Sequence, residues 1–342
     1  MRFSPRCRMR ALNILKETVA VVAVLVLAYL AVSLMRNHVD RVDNQLQKAQ
    51  YSAHGGMDLK FLNGIQEKRD LSSLNPDVNI VPSKSQGQLV LQHKDCIDMP
   101  GSIRQGLYIC VHPVNDDKWV SGTLKAGNLW EANLVQEMLN AFKADPSLQL
   151  VDLGCNIGQF SLCAAAVGRH VLSVEMMMTN IQLLQMSLQL SNLTSMVTIV
   201  NNAVYSDHRE LGVKFMKENI GGNRLNVSNT LDDIDDKAAK VTVKTICMND
   251  LVPLVRNTRV YLKMDIENSE HFALQCADEF FKEVDIKIVQ MEWLQRLPED
   301  GKVILAFMNA HGYNMSKSAN AHIPVDLTAI PVDIFFLKNS ST

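Results

Sequence analysis

The 342-residue sequence has almost no net charge: 34 Lys and Arg stand against 36 Asp and Glu, leaving −2 at neutral pH. A surface without an excess of positive charge gives no electrostatic basis for gripping a nucleic-acid backbone. No Cys/His cluster has the spacing of a zinc site, so no metal is expected. No internal repeat is present, which excludes solenoids and propellers. The dinucleotide fingerprint G-x-G-x-x-G is also missing. Nothing in these absences argues against a globular enzyme, and a hydrophobic content of 47% supplies the core for one.

The first feature present is an uncharged run, "TVAVVAVLVLAYLAVSLM", over residues 18–35. A run of this length reaches the lower limit for spanning a bilayer. Arg2, Arg6, Arg8, Arg10 and Lys16 precede it, while only Arg36 and Arg41 follow closely. That asymmetry keeps the N-terminus cytosolic and sends the remainder across the membrane. Residues 1–17 read as a cytosolic tail and 18–35 as a transmembrane signal anchor, giving a single-pass type II protein with its bulk in the Golgi or ER lumen. A cleaved signal peptide is the rival, since Ala31 and Ser33 form a small-x-small site. Either way the chain after residue 36 is lumenal.

Residues 36–92 are polar, poor in aromatics and interrupted by Pro76 and Pro82, as in a stem. Sequons stand at Asn192, Asn226, Asn314 and Asn339. Cys96 and Cys110 flank a Pro100–Gly101 turn and are either a disulfide or two buried thiols.

Residues 93–148 read as an extension that precedes the main domain and holds a helix near Leu129–Phe142. From residue 149 to the C-terminus, apolar strand patterns alternate with amphipathic helices. "LQLVDLG", "HVLSVE", "MVTIVNNAV", "RVYLKMDIE", "DIKIVQMEW" and "IPVDIFFLKN" read as strands. "GQFSLCAAAVG", "TNIQLLQMSLQLSN", "SEHFALQCADEFFKE" and "PEDGKVILAFMNAHG" read as helices, the second with Thr179 as a cap. "VKFMK" and "VTVKTI" read as strands of a hairpin-like insertion. The order implies an α/β fold, a mostly parallel sheet with helices on both faces.

In such sheets the ligand lies beyond the carboxyl ends of the strands. "VDLGCNIGQFSL", from Val151, is the first strand and its turn, with spacing D-x-G-x-N-x-G at Asp152, Gly154, Asn156 and Gly158. Glycine lets the backbone approach a ligand. An acid at this turn suits an ammonium or sulfonium ion better than a phosphate, which points to S-adenosylmethionine. Glu175 ends the second strand about twenty residues past the glycines, where a carboxylate accepts ribose hydroxyls. Asn202 and Ala203, after the third strand, fall where adenine needs an amide and a small neighbour.

Residues from about 149 to 338 resemble the FkbM family of S-adenosylmethionine-dependent methyltransferases. The stretches that carry the resemblance are "VDLGCNIGQFSL", "VEMMMTNIQLL", "NNAVYSD", "GGNRL", "TICMNDL" and "YLKMDIENSE". It implies a class I methyltransferase fold: a Rossmann-like, seven-stranded sheet with an antiparallel final strand. It also implies methylation of a hydroxyl, often on a sugar or glycolipid. Two departures stand out: Met176, Met177 and Met178 follow Glu175 where the family has proline, and Asn268 replaces a glycine. Asparagine tolerates a positive φ.

Methyl transfer to a hydroxyl needs positioning and removal of a proton. Lys263, Asp265, Glu267 and Glu270 cluster after the fourth strand, and alternation puts the first three on one side. Asp265 is the expected base or acceptor-orienting group, with Lys263 beside it; Glu292 and His271 are further candidates. A structural brace of lysine and carboxylates is the alternative. Two other function classes remain. "LDDIDD" holds a D-x-D at Asp233 and Asp235, as in glycosyltransferases, but inside a polar acidic run rather than at a strand end. A non-catalytic binding protein on a methyltransferase scaffold is the third. Acceptor identity and oligomeric state leave no signature.

Overall fold

Strand residues in the C-terminal part of the chain alternate between two buried faces, and this alternation builds the sheet. Leu150, Tyr261 and Phe335 enter one apolar cluster, while their neighbours Val151, Leu262 and Phe336 enter another. A sheet covered on both sides needs such near-continuous apolar strands. The computed structural model describes residues 71–82, 95–101, 103–227, 241–255, 258–293 and 298–339. The apolar run at 18–35, most of the stem and the "LDDIDD" stretch lie outside the described residues. Among the described residues no helix is long and apolar enough to cross a membrane.

The strands are β1 (Ile80–Val81), β2 (Cys96–Asp98), β3 (Tyr108–Cys110), β4 (Gln149–Leu153), β5 (Val171–Val174), β6 (Val197–Val200), β7 (Ala203–Val204), β8 (Glu210–Lys214), β9 (Arg224–Asn226), β10 (Thr242–Ile246), β11 (Arg259–Met264), β12 (Asp285–Glu292), β13 (Tyr313–Ser316) and β14 (Asp333–Lys338). The helices are α1 (Val120–Lys125), α2 (Ala132–Ala144), α3 (Gln159–Ala166), α4 (Met178–Leu190), α5 (Val252–Val255), α6 (Glu270–Leu274), α7 (Asp278–Glu283) and α8 (Pro298–Ala310). The main sheet runs β1-β6-β5-β4-β11-β12-β14-β13. Strands β6, β5, β4, β11 and β12 are parallel, and β14 runs antiparallel between β12 and β13. Helices α2–α4 cover one face and α5–α8 the other.

Seven of these strands match the expected sheet, including the antiparallel last strand. The eighth, β1, corrects the stem boundary. Ile80 and Val81 pair with Val200 and Ile199 on the edge of β6. Asn79 N–H donates to Asn202 Oδ1 (2.8 Å), Asn201 N–H donates to Asn79 O (2.9 Å), and Gln185 Nε2 donates to Pro82 O (3.0 Å). The segment 71–82 is therefore built into the domain, because it closes an otherwise open sheet edge.

The insertion is larger than a hairpin. β7, β10, β8 and β9 form their own four-stranded sheet, with β10 antiparallel to β8 and parallel to β7. The expected helix "SEHFALQCADEFFKE" is two helices, α6 and α7. They break at Cys276, which is bonded to Cys247 and whose carbonyl accepts Asn249 N–H. Thr179 is not a cap: α4 begins at Met178, and the Met177 N–H before it donates to Glu175 Oε1 (2.7 Å). Cys96 and Cys110 are directly opposed in the β2–β3 pair and form a disulfide, whereas Cys155 and Cys163 are free and buried.

Candidate active site

The strand order reverses between β4 and β11. β5 and β6 lie to one side and β12 to the other, so the first turns after these strands splay apart and leave a crevice. A cavity of about 260 Å³ occupies it. Its wall holds Gly154–Ile157 after β4, Glu175–Met177 after β5, Asn202 and Ala203 after β6, Asp265–Glu267 after β11, and Glu292 at the end of β12. Trp119, Trp130 and Glu131 close one side, and Asn219–Asn223 with Leu225 close another.

Glu175 sits on the cavity floor, 6% exposed. Its Oε2 accepts Asn156 N–H (2.9 Å) and its Oε1 accepts Met177 N–H. Burial raises its pKa to about 7, against the pull of these two donors and of Asn180. Three donors leave part of the carboxylate's four-site acceptor capacity open, so a ligand hydroxyl could still bond to it. Asn156 takes a left-handed conformation at φ 52° and aims its N–H at the acid. Met176 and Met177 line the cavity where the family's proline would lie. Asn268 does adopt positive φ, 67°.

Four expected ligand residues have other work. Asp152 is 0% exposed and lies within β4, not at its turn, so its side chain points into the protein. Its Oδ2 accepts the Ser161 hydroxyl (2.6 Å), and its Oδ1 faces Lys263 Nζ at 3.9 Å. Lys263 is its cross-strand neighbour on β11. The acid thus holds a lysine and not a sulfonium ion. Gly154, at φ 79°, makes room for protein: a Cβ there would sit 1.8 Å from the Asp265 carbonyl oxygen. Gly158 packs against Leu184, 2.3 Å from where its Cβ would be, and does not line the cavity. Asn202 lines the cavity, but its amide is spent. Besides accepting Asn79 N–H, it donates to Asp77 O (3.1 Å) and Lys244 O (3.3 Å). Ala203 lies at the cavity as expected.

At the other end of the cavity stands a lysine among acids. Lys263 is 4% exposed, bonds Asp265 Oδ2 at 3.0 Å and lies 5.0 Å from the Phe160 ring centre. Burial opposes its charge, but Asp265, Asp152 and Glu131 together raise its pKa. Carboxylate oxygens of Asp265, Glu267 and Glu292 lie within 4.8 Å of one another. Such crowding is relieved by holding protons. Burial, then Asp265, lifts Glu267 to about 8; burial, then Asp265 and Glu267, lifts Glu292 to about 9. Burial and the neighbouring carboxylates therefore favour the protonated form of Glu292 at neutral pH, which makes it a poor base. Glu270 is buried, with Oε1 accepting Ile266 N–H (3.0 Å) to close the turn, and His271 stacks on Phe272; neither lines the cavity. Trp119, Trp130 and Glu131 left no motif in the sequence. The "GGNRL" stretch, quoted for the resemblance, supplies Gly221, Gly222, Asn223 and Leu225 to the cavity wall.

The fold is mixed α/β, with a cavity beyond the carboxyl ends of the parallel strands. Residues 152–315, just under half of the chain, match the model of the methyltransferase FkbM domain. Comparison with curated proteins gives no match. Among solved structures, methyltransferase FkbM from Methylobacillus flagellatus KT is 17% identical at a TM-score of 0.37, over 56% of this chain and 43% of that one. An S-adenosylmethionine-dependent O-methyltransferase from Thermotoga maritima is 12% identical at 0.33, covering 63% and 67%. Magnesium protoporphyrin IX methyltransferase from Synechocystis PCC 6803, solved with S-adenosylmethionine bound, is 11% identical at 0.36, covering 65% and 84%. Likenesses this loose say nothing about substrate.

Proposed function

We propose that the protein is an S-adenosylmethionine-dependent methyltransferase that methylates a hydroxyl of a glycan or lipid, held in the secretory lumen by an anchor at residues 18–35. The observation that carries this reading is the cavity itself. It joins a buried carboxylate suited to a ribose diol, Glu175, to a lysine–carboxylate cluster suited to an acceptor hydroxyl, within a domain that matches FkbM methyltransferases. Bound there, S-adenosylmethionine would supply a methyl group already activated by its sulfonium. Glu175 would hold the ribose and the Gly154–Asn156 turn would lie against the nucleoside. Asp265, fixed by Lys263, would orient the acceptor. Lumenal residence is supported by the basic residues before the apolar run and by two disulfides, which persist in oxidising compartments.

The test is transfer of labelled methyl from S-adenosylmethionine to a panel of glycans and lipids by the purified protein. Methylation of a hydroxyl in either class supports the reading. Binding of the donor with no transfer to any member would favour the scaffold alternative, and binding of nucleotide sugars instead would revive the glycosyltransferase.

A further inference from the structure

We propose that Glu131 takes the acceptor's hydroxyl proton during methyl transfer, an inference that rests on the hydroxyl-methyltransferase reading above. Glu131 lies outside residues 152–315, so nothing in the family match assigns it a role. It lines the cavity between Trp130 and the Lys263–Asp265 pair.

Its backbone is unusual. Glu131 is the residue before α2 and is left-handed, φ 50° and ψ 44°. A non-glycine residue holds that conformation only where its surroundings insist. The obvious use for an acid at a helix start is to cap the helix, yet its side chain makes no capping bond. The left-handed turn instead delivers the carboxylate to the cavity, where the Trp130 side chain hydrogen-bonds it.

The charged groups facing it leave it as the available base. Asp265 Oδ2 is occupied by Lys263 Nζ at 3.0 Å. Glu267 and Glu292 keep their protons at neutral pH, for the reasons given above. Asp333, on β14, is lifted to about 6 by burial and then by Asp265, but it lines a neighbouring hollow and not this cavity. Burial, then Asp265, raises Glu131 to about 7, with Lys263 pulling the other way. A base poised near the working pH is the efficient one. As the acceptor oxygen bonds to the methyl carbon, the carbon–sulfur bond breaks and its electron pair stays on sulfur. The hydroxyl proton passes to the Glu131 carboxylate and then to water.

This placement can be tested without knowing the acceptor. Sinefungin carries an ammonium group where the donor carries its sulfonium methyl; S-adenosylhomocysteine lacks any charge there. If Glu131 faces that point, the preference for sinefungin over S-adenosylhomocysteine should rise about tenfold between pH 6 and pH 8 as Glu131 ionises. Glu131→Gln should remove most of the rise, while S-adenosylhomocysteine affinity and melting temperature stay at the parent's values. Glu131→Asp should restore part of it. An unchanged rise in Glu131→Gln, or equal weakening of both ligands, overturns the proposal. If Glu131→Gln does not fold, the parent decides: no rise between pH 6 and pH 8 overturns it too. Failure of both ligands to bind the parent would instead remove the methyltransferase reading and this assignment with it.

Discussion

Replacing Lys263 with methionine should destabilise the protein, and the size of the effect follows from which acid is stranded. The Lys263 ammonium serves Asp265 at 3.0 Å and Asp152 at 3.9 Å. Asp265 has a side chain 29% exposed and can turn to water. Asp152 is 0% exposed, and its Oδ1 has no hydrogen-bond donor. Removing one partner of a buried pair costs about 3–5 kcal/mol. Asp152 can reduce that cost only by taking up a proton. Burial already raises its pKa, partly offset by Lys263, and loss of the ammonium raises it further. The folded pKa then lies well above the unfolded value, so the folded state holds the extra proton. Lys263→Met should therefore lose about 1.4 kcal/mol of stability per pH unit as pH rises between those two pKa values. The assay is urea unfolding of the purified protein from pH 5 to pH 8. Lys263→Met/Asp152→Asn should recover more than half of the loss and show no such slope. A single variant within about 1 kcal/mol of the parent at pH 8 would refute the buried-pair argument, as would a double variant no better than the single.

Glu175→Ala should weaken S-adenosylhomocysteine binding by about 1–3 kcal/mol through lost charge-assisted hydrogen bonds. Because burial holds Glu175 near a pKa of 7, affinity in the parent should improve as pH rises from 6 to 8; calorimetry at both pH values checks the sign. The Cys247–Cys276 bond closes a loop with a sequence separation of 29, and replacing both residues with alanine should cost about 3–4 kcal/mol in chemical denaturation. In microsomes, glycans should attach at Asn192, Asn314 and Asn339, which are exposed, in preference to Asn226, which is half-buried in β9. Single Asn→Gln variants on gels would show which bands depend on which site, and an unglycosylated chain would put the domain on the cytosolic side.

The parts of the fold legible in the sequence are those whose physics is local. A strand buried on both faces reads as a run of valine, leucine and isoleucine, so β4, β5, β11 and β12 were visible one by one. The parallel order followed from the helices between them. The turn after β4 and the acid after β5 were visible too, because each needs particular residue types within a few positions. Segments that complete the structure from far away leave no such trace. Ile80 and Val81 pair with β6 across more than a hundred residues, and Cys247 reaches Cys276 between different elements. Trp130 and Glu131 reach the cavity through one left-handed turn that no periodicity announces.

Asp152 turns away from the cavity for a different reason. Side chains on a strand alternate, so the residue at which a strand stops decides which face its last acid occupies. β4 runs on to Leu153, one residue beyond Asp152, which turns the acid inward toward Ser161 and Lys263. Glu175 lies one residue past the end of β5, free of the ladder, and its carboxylate reaches the cavity floor. Two acids with the same apparent place in the pattern thus divide the work. Asp152 keeps the lysine charged and fixed from below, and Glu175 faces the cavity. The same lysine sets Asp265 in place and steadies the charge on Glu131. The buried acid therefore reaches the cavity's charged cluster only through Lys263.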